Sequence, residues 1–311
     1  MLFTRRIARV MRRFATIPQR LQRIQEALGR IEQRQVMQQG GGVQRAEFRV
    51  FSQWGEDGII QFLIERVPIE NRVFVEFGVE NYTESNTRFL LSNNSWSGLV
   101  IDASSANIDY IKRDPIYWAC DLKAVQAFVT RDNINAILRA NDICGDVGLL
   151  SVDIDGNDYW VWQAIDSISP RIVICEYNSH FGPTAEVTIP YDPAFVRERA
   201  HFSRIYYGAS ISALCSLGKS KGYSLVAGNS AGNNLFFVRD DQRGALPVLS
   251  AADAYRRAQF REFHDESGHL TFDAFAARLR KIGHLPLLDL GSNQVRQVNQ
   301  IAGISDGMGG T

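Results

Sequence analysis

Three carboxylates lie within six positions in the stretch LLSVDIDGNDYWVW, residues 149–162. They are Asp153, Asp155 and Asp158, and they follow an apolar run with the composition of a buried strand. Such groups coordinate metal ions, act as general bases or cap helices. Asp158 falls in the first turn of the next predicted helix, where negative charge complements the helix dipole, so we interpret it as structural. Asp153 and Asp155 are candidates for catalysis.

A second group of polar residues ends the apolar run at 171–177, namely Glu176 and, just beyond the run, Asn178. Asp153 with Glu176 and Asn178 would offer hard oxygen ligands to Mg²⁺ from two neighbouring strand ends. In the alternative without a metal, one carboxylate is a general base and the others orient the substrate. The sequence slightly favours that alternative and leaves the metal open. An EF-hand is excluded because its spacing and its glutamate at loop position twelve are missing.

The long connection 178–207 carries two histidines and several tyrosines. Loops of this length within a compact domain are often functional. His180 and His201 are candidates to take a proton from an alcohol, which adds His180 to the predicted catalytic residues Asp153, Asp155 and Glu176. Tyrosine rings and carboxylates together suit a polyhydroxylated sugar. The predicted substrate-binding residues are Asn178, Tyr191, His201, Tyr206 and Tyr207.

Short apolar runs alternate with amphipathic segments from residue 45 onward. This alternation predicts an α/β fold with a Rossmann-like, doubly wound, mostly parallel sheet. Two further runs, separated by a short turn, predict a C-terminal hairpin that adds one antiparallel strand. The predicted strands are 72–78, 98–104, 116–121, 147–155, 171–177, 222–228 and 233–239, and the predicted helices lie near 84–93, 104–113, 123–140, 157–168 and 209–221.

The ends of the first three predicted strands indicate a nucleoside site, because ligands bind outside the carboxyl ends of such strands. The first run ends in Glu76 and Gly78, and the glycine allows close approach of a ligand. Asp102 ends the second run 24 residues later, close to where a ribose-binding acid is found. Asp121 ends the third run and would accept a hydrogen bond from an adenine amino group. For each single acid, capping of the following helix is an equally good explanation.

Phosphate-binding motifs are absent from this region. The first strand is followed by neither GxGxxG nor GxxxxGK[ST], which argues against a dinucleotide and a nucleoside triphosphate. A single glycine flanked by acids suits a positively charged nucleoside without phosphates. S-adenosylmethionine is such a ligand.

The chain resembles the FkbM-like class I S-adenosylmethionine-dependent methyltransferases over about residues 50–240. The resemblance rests on SQWGED, FVEFGVENYTESNT, WSGLVID, SVDIDGND and NNLFFV, at 52–57, 74–87, 96–102, 151–158 and 233–238. VDIDGND is similar to the family element V-D-x-E-G-x-E, and the glycines that follow Gly78 in many methyltransferases are missing. The resemblance implies cofactor contacts from Glu76, Gly78, Asp102, Asp121, Gln53 and Asp57. For SQWGED the alternative is a helix cap formed by Ser52 with Glu56.

An N-terminal arm, residues 1–37, precedes this domain, and its first 36 residues hold nine arginines and two glutamates. Apolar residues in the arm recur at alternating steps of four and three, the pattern of a coiled-coil seam. Pro18 is tolerated in a first helical turn, so a second helix is predicted to start near Thr16. The seam consists of Phe3, Ile7, Val10, Phe14, Ile17, Leu21, Ile24, Leu28 and Ile31.

Self-association through this seam is favoured over contact with a membrane, although the basic first helix also suits a membrane surface. The arm leads through a flexible linker, 38–44, to the methyltransferase-like domain, 45–242. A C-terminal extension follows at 243–311; it looks helical over 251–282, and no structure is assigned beyond that.

Composition limits the classes of function. The formal net charge is zero and the predicted catalytic domain has no basic stripe, so a nucleic-acid substrate is not expected. The four scattered cysteines and the lack of a secretory signal predict a reduced, cytoplasmic setting, with the arm at the inner membrane face as an alternative. We expect methylation of a hydroxyl on a glycan or small molecule. The alternative is an inactive binding or scaffold module with this fold.

Overall fold

The computed structural model describes residues 16–258 and 260–305. The seam residues before Thr16 lie outside this part of the chain. The strands are β1 (Val73–Phe77), β2 (Ser97–Asp102), β3 (Leu122–Gln126), β4 (Gly145–Val152), β5 (Ile168–Glu176), β6 (Val187–Thr188), β7 (Tyr223–Gly228), β8 (Asn234–Arg239), β9 (Pro286–Asp289) and β10 (Gln294–Gln297). The helices are α1 (Ile17–Gln39), α2 (Glu56–Ile64), α3 (Arg88–Asn94), α4 (Ser105–Arg113), α5 (Pro115–Ala119), α6 (Ile134–Ala140), α7 (Asp158–Ala164), α8 (Arg197–Ala200), α9 (Ile211–Ser220), α10 (Ala251–Ala254) and α11 (Phe275–Ile282).

Seven strands form one sheet in the order β3-β2-β1-β4-β5-β8-β7. The pairs from β3 to β5 are parallel, whereas β8 runs antiparallel to both β5 and β7. The predicted doubly wound sheet with a C-terminal antiparallel hairpin strand is therefore confirmed. The strand order reverses between β1 and β4, and a ligand site is expected at this switch point.

Both faces of the sheet are buried, which explains why the strands are apolar at nearly every position. Neighbouring residues of one strand enter different cores because side chains alternate between the faces. Leu150 and Val173 pack in one core, and Leu149 and Ile172 pack in the other. The runs that formed β4 and β5 could thus be recognised from the sequence as buried parallel strands.

The third strand was placed wrongly. Residues 116–121 form most of helix α5 and the turn after it, and β3 begins only at Leu122. Asp114 caps α5 by accepting a hydrogen bond from the Ile116 N–H at 3.0 Å, and Pro115 occupies the first turn. A short apolar run of this kind fits either a helix or a strand, and the helix-start signal at Asp114 and Pro115 explains why it forms a helix. The helix predicted over 123–140 is correspondingly limited to α6.

The other predicted helices of the domain are present with shifted ends. Ser104 caps α4, as its sequence position suggested, through a 3.4 Å hydrogen bond from the Asn107 N–H. Helices α3, α7 and α9 overlap the segments predicted near 84–93, 157–168 and 209–221.

Helix α1 begins after Thr16 with Pro18 in its first turn, as predicted. It continues to Gln39, two residues into the predicted linker, and the buried Val43 then anchors the chain to the domain. In the part of the chain that the structure describes, no helix is long and apolar enough to cross a membrane.

The C-terminal extension differs from its prediction. Among the described residues of 251–282, only α10 and α11 are helical, and beyond them β9 and β10 form a hairpin that pairs with β6. This small sheet has its own core, which includes Phe181, Phe263 and Leu287. The extension is thus packed on the segment between β5 and α9. Its residue patterns are too short to indicate this without the partner strand.

Candidate functional site

Two cavities open at the carboxyl ends of the parallel strands. The larger has a volume of about 650 Å³ and lies over β1, β4 and β5, and the smaller has about 160 Å³ and lies over β2 and β3. Gly78, Glu80, Asp153 and Asp155 line both cavities, so the two spaces meet at the switch point.

Gly78 makes this meeting point possible. Its backbone has φ +68°, and a Cβ atom there would lie 1.8 Å from the carbonyl oxygen of Asp153. Only glycine combines this conformation with so close an approach. The chain segments after β1 and β4 therefore touch directly below the cavities.

Glu76 shapes the loop after β1. Its carboxylate accepts hydrogen bonds from the N–H groups of Asn86 (2.8 Å) and Thr87 (3.2 Å), and from the Thr87 hydroxyl at 2.5 Å. Burial raises the pKa of Glu76 to about 7, against these hydrogen bonds. It lines the larger cavity, and its two oxygens already hold the loop in place.

Asp102 lies at the tip of β2, on the wall of the smaller cavity. Its Oδ1 accepts from the Ser104 N–H at 2.8 Å and from the Asn107 side chain at 3.0 Å. The exposed ring of Phe128, just after β3, lines the same cavity. An acid and an aromatic ring thus face one space of the size of a small heterocycle.

Asp121, predicted to contact the adenine, lies at the amino end of its strand, away from the cavities at the carboxyl ends. It precedes β3, and its carbonyl accepts from the N–H of Gly98, near the start of β2. The error follows from the misplaced third strand. The residues that the structure places at the β3 tip are Ala127, Phe128 and Val129.

A cluster of three carboxylates forms the floor of the larger cavity. Ligand oxygens of Asp153, Asp155 and Glu176 lie within 4.8 Å of one another. Removal from bulk water, followed by the charge of Asp155, raises the pKa of Asp153 well above its usual value. Burial and the Asp153 carboxylate do the same for Glu176, whose buried Oε2 has no hydrogen-bond partner among the described residues. The structure thus brings together three acids that the sequence analysis assigned to two neighbouring strand ends.

Asp158 has a structural role, as interpreted from the sequence, and this role includes hydrogen bonds that stabilise the preceding turn. Its two oxygens accept from the N–H groups of Ile154 (2.8 Å) and Gly156 (2.9 Å). The residue is fully buried, and burial raises its pKa to about 6. These bonds fix the loop that carries Asp153 and Asp155.

Arg197 is a site residue that sequence reasoning missed. Its guanidinium donates to Asp155 at 2.5 Å and to Glu262 at 2.6 Å, and it lies 3.7 Å from the centre of the Tyr207 ring. Both Arg197 and Glu262 line the larger cavity. Nothing in their local sequence marks them, because each comes from a separate long segment.

Asn178 and His180 do not contribute to this cavity. The Asn178 side chain donates to the carbonyls of Ile205 (2.8 Å) and Tyr207 (3.0 Å) and accepts from the His180 N–H (3.0 Å). It is therefore occupied in holding the loop, which corrects its assignment as a metal ligand. His180 is buried and stacks on Phe275, and burial lowers its pKa to about 3. Its predicted role as a base is not supported by this position.

The four substrate residues predicted between 191 and 207 also lie away from both cavities. Tyr191 donates to Asp132 at 2.7 Å, and His201 contacts the Ser203 hydroxyl at 2.7 Å. The Tyr206 hydroxyl donates to the Pro286 carbonyl. The Tyr207 ring makes a cation–π contact with the Arg197 guanidinium. The segment packs against the C-terminal extension, and only Phe195 and Arg197 of it reach the cavities.

SQWGED contributes one of its two predicted cofactor residues. Gln53 lines the larger cavity. Asp57 is buried elsewhere, where its Oδ2 accepts from the N–H groups of Val50, Phe51 and Ser52 at 2.7–2.8 Å. Burial raises the pKa of Asp57 to about 6. Its role is to fold the preceding loop.

Glu56 positions the rim of the larger cavity. Its Oε2 accepts from the N–H groups of Trp54 and Gly55, and its Oε1 from the side chains of Asn229 and Asn234. Trp54 then stacks on Phe260 of the C-terminal extension, with ring centres 5.1 Å apart. An aromatic pair thus stands at the entrance.

The lining of the larger cavity is strongly acidic. Seven carboxylates face it, and the only cationic side chains among its lining residues are Arg197 and Arg261. The acids are Glu76, Glu80, Glu84, Asp153, Asp155, Glu176 and Glu262. Such a lining disfavours anionic ligands such as nucleotides with free phosphates.

Comparison with known proteins finds weak similarity to solved structures. No protein-family model and no curated protein matches the chain. Similar solved structures include the N-terminal domain of EvdMO1 in the presence of SAH and D-fucose, at 10% identity; the match covers 59% of this chain and 80% of that one, with a TM-score of 0.38. The O-methyltransferase from Bacillus cereus in complex with SAH is 12% identical; the match covers 59% of this chain and 80% of that one, with a TM-score of 0.35. TrmK of M. capricolum in complex with SAH is 10% identical; the match covers 71% of this chain and 80% of that one, with a TM-score of 0.36. The strand order of the chain is itself that of a Rossmann-like doubly wound sheet with an antiparallel β8, and the similarity to these structures assigns no function to the chain.

Proposed function

We propose that this protein is an S-adenosylmethionine-dependent methyltransferase that methylates a hydroxyl group of a glycan or another polyhydroxylated small molecule. The observation that carries the proposal is the meeting of two unlike cavities at Gly78 and Asp153. One offers an acid and an aromatic ring, which suit a nucleoside, and the other offers a cluster of carboxylates, which suits an alcohol. The resemblance to FkbM-like methyltransferases supports the same conclusion.

The residues around the smaller cavity fit the cofactor. Both hydrogen bonds to Asp102 use Oδ1, which leaves Oδ2 for a ribose hydroxyl. Phe128 offers an apolar face to the adenine, and Gly78 permits close approach at the methionine end. The cofactor needs no phosphate cradle, and its sulfonium supplies an electrophilic methyl group. Acids at the meeting point favour a cation of this kind.

The carboxylate cluster provides the base that an alcohol requires. Asp153 and Glu176 have raised pKa values because they are removed from water and close to other acids. Such groups accept a proton near neutral pH more readily than ordinary carboxylates. Asp155 is held by Arg197 and orients the cluster. Trp54 and Phe260 give the entrance an aromatic surface for one face of a sugar ring.

A divalent cation is the alternative way to activate the alcohol. Asp153, Asp155 and Glu176 would hold Mg²⁺, and the buried Oε2 of Glu176 has no other partner among the described residues. The cation would lower the pKa of the hydroxyl. Binding of Mn²⁺ to the protein, followed by paramagnetic resonance with and without Glu176→Gln, tests this independently of turnover.

Calorimetric titration of the full chain with S-adenosylmethionine is the decisive test, with NAD as the control ligand. We expect micromolar binding that is weakened at least about tenfold in Asp102→Asn and no binding of NAD. Transfer of labelled methyl to a panel of sugars, with Mg²⁺ or with EDTA, then identifies the acceptor class. Absence of cofactor binding by the folded protein would overturn the proposal. Binding with no transfer to any hydroxylated acceptor would favour the inactive scaffold.

A further inference from the structure

Helix α1 lies on its own domain with a side that carries glutamines, a glutamate, a glycine and two apolar residues. Half-buried or buried positions recur on this side at steps of four and three, at Gln22, Glu26, Gly29, Gln33 and Val36, and Met37 beside them is half-buried as well. Gly29 is the closest contact, since a Cβ there would lie 2.4 Å from Val50 and 3.2 Å from Phe89. Gln33 donates to the Gln61 side chain at 2.8 Å. Near the C-terminal end of the helix, Val36 and Met37 also pack against the apolar cores of the domain. The helix is therefore attached to the domain by glutamines, a glycine and these two apolar residues.

The apolar side of α1 faces away from the domain. We call the five residues of this side that the structure describes the outer seam, and they are 41–58% exposed: Ile17, Leu21, Ile24, Leu28 and Ile31. At 100° per residue the outer seam lies roughly 140° around the helix from the domain-facing side. A surface helix normally turns its apolar stripe towards the core. In this protein the stripe formed by the outer seam faces away from the domain, so folding of one chain leaves it uncovered.

Three features of the outer seam indicate what covers it. Its spacing alternates four and three without a break, which places every member at an a or d position of a heptad. It is only two residues wide per heptad, which matches a coiled-coil seam and is narrower than the apolar face of a helix lying on lipid. In the sequence the same phase continues backward through Phe14 and Val10.

We propose that the outer seam pairs with the outer seam of a second copy of this chain, so that two α1 helices form a two-stranded coiled coil. Seams of this type pack against each other by inserting knobs into holes, and a two-fold axis lets one stripe serve both chains. The domain covers the opposite side of α1, which leaves room for one partner helix. The dimer therefore carries one domain on each outer side. This proposal is independent of the proposed catalytic function.

Light scattering on the eluate of a sizing column tests the proposal with the full chain. We expect a mass twice that of the 35.0 kDa chain. The double substitution Leu21→Glu/Leu28→Glu should weaken association at least about 1000-fold and give the mass of one chain, because four buried leucines are lost per dimer. The matched control, Arg23→Glu/Arg30→Glu, places two glutamates seven residues apart on an exposed part of α1 outside the seam. It should remain a dimer.

Thermal unfolding of both double variants excludes loss of the fold as the cause, because the seam is exposed in one chain and its substitution should leave the domain intact. A wild-type protein that is monomeric at micromolar concentration would overturn the proposal. Equal masses for the seam variant and the control would overturn it as well. If the monomer binds vesicles of 30% phosphatidylglycerol and loses this binding with the seam variant, the seam contacts lipid and the dimer is wrong.

Discussion

The acids at the ends of β1 and β2 differ from those at the ends of β4 and β5. Glu76 and Asp102 each accept hydrogen bonds from the loop or the helix that follows their own strand. Asp153 and Glu176 lie beside another carboxylate, and Glu176 keeps a buried oxygen without a partner among the described residues. The first pair stabilises local structure. The second pair is held together against its own repulsion.

This difference separates acids that build the site from acids that are available for chemistry. A buried carboxylate without hydrogen bonds costs stability unless it loses its charge or gains a ligand. Such an arrangement is typical of functional sites, where pKa values are shifted by burial and by neighbours of like charge. The pKa of Glu76 is raised as well, but both of its oxygens accept hydrogen bonds from Asn86 and Thr87. A shifted pKa by itself therefore does not identify the reactive group.

Glu176→Gln should give the largest effect. Loss of a base, or of a metal ligand, is expected to lower kcat by about 100- to 10 000-fold, while the Kd for S-adenosylmethionine changes by less than about threefold. Single-turnover methyl transfer and calorimetry measure the two quantities. Glu84→Gln is the control, because Glu84 lines the same cavity but is half exposed and pairs with Arg49 at the surface. Equal losses in both variants would contradict the assignment of Glu176.

Gly78→Ala should destabilise the meeting point of the two cavities. The new Cβ would enter the Asp153 carbonyl, and the backbone has φ +68°. We expect a loss of about 3 kcal/mol or more in the free energy of unfolding. Gly145→Ala is the matched control, since Gly145 has the same φ of +68° but nothing within 4 Å of an added Cβ. It should lose only about 1 kcal/mol in urea unfolding.

The stability of the protein should respond to pH through Glu176. Burial and the Asp153 charge raise its pKa in the folded state above the ordinary 4.5, so the unfolded chain ionises first as the pH rises. The folded state then binds more protons, and its free energy of unfolding falls as the pH rises above about 4.5. Glu176→Gln removes this loss. It should match the wild type at pH 4 and have a higher free energy of unfolding than the wild type at pH 8.

Urea unfolding at both pH values measures this contribution of Glu176. A variant that is less stable than the wild type at pH 8 would show that Glu176 is ionised and well solvated in the folded protein. Glu176 would then belong with Glu76 and Asp102, the acids that stabilise local structure.

Asp121→Asn should have the smallest effect, because Asp121 lies at the opposite edge of the sheet from Asp102. We expect cofactor affinity within about twofold of the wild type by calorimetry. Phe128→Ala, at the actual tip of β3, should weaken it by about tenfold through loss of an aromatic contact. The reverse result would restore Asp121 as an adenine contact and contradict the proposed site.

Local pattern was sufficient for the sheet and for part of the site. The apolar runs of β1, β2, β4 and β5 have lengths typical of buried strands, and the acids after them share one edge because parallel strands end together. The grouping of Asp153, Asp155 and Glu176 follows from this rule alone. The rule that parallel strands end together does not predict which side chains of the intervening loops point into the site. For this reason the substrate residues predicted within 178–207 were mostly misplaced.

The sequence by itself determined the α/β alternation and the acids at the ends of β1, β2, β4 and β5, because these depend on patterns within ten residues. The strand order, and with it the switch point, came from the structure. Only the tertiary structure decided the partners of those acids. Arg197 and Glu262 are 65 positions apart and meet at the cavity because the C-terminal extension folds back along the segment after β5. The placement of β3 was likewise decided by the Asp114 cap and by pairing with β2. Contacts between distant segments leave no periodic signal in either segment, and for this reason the sequence did not reveal them.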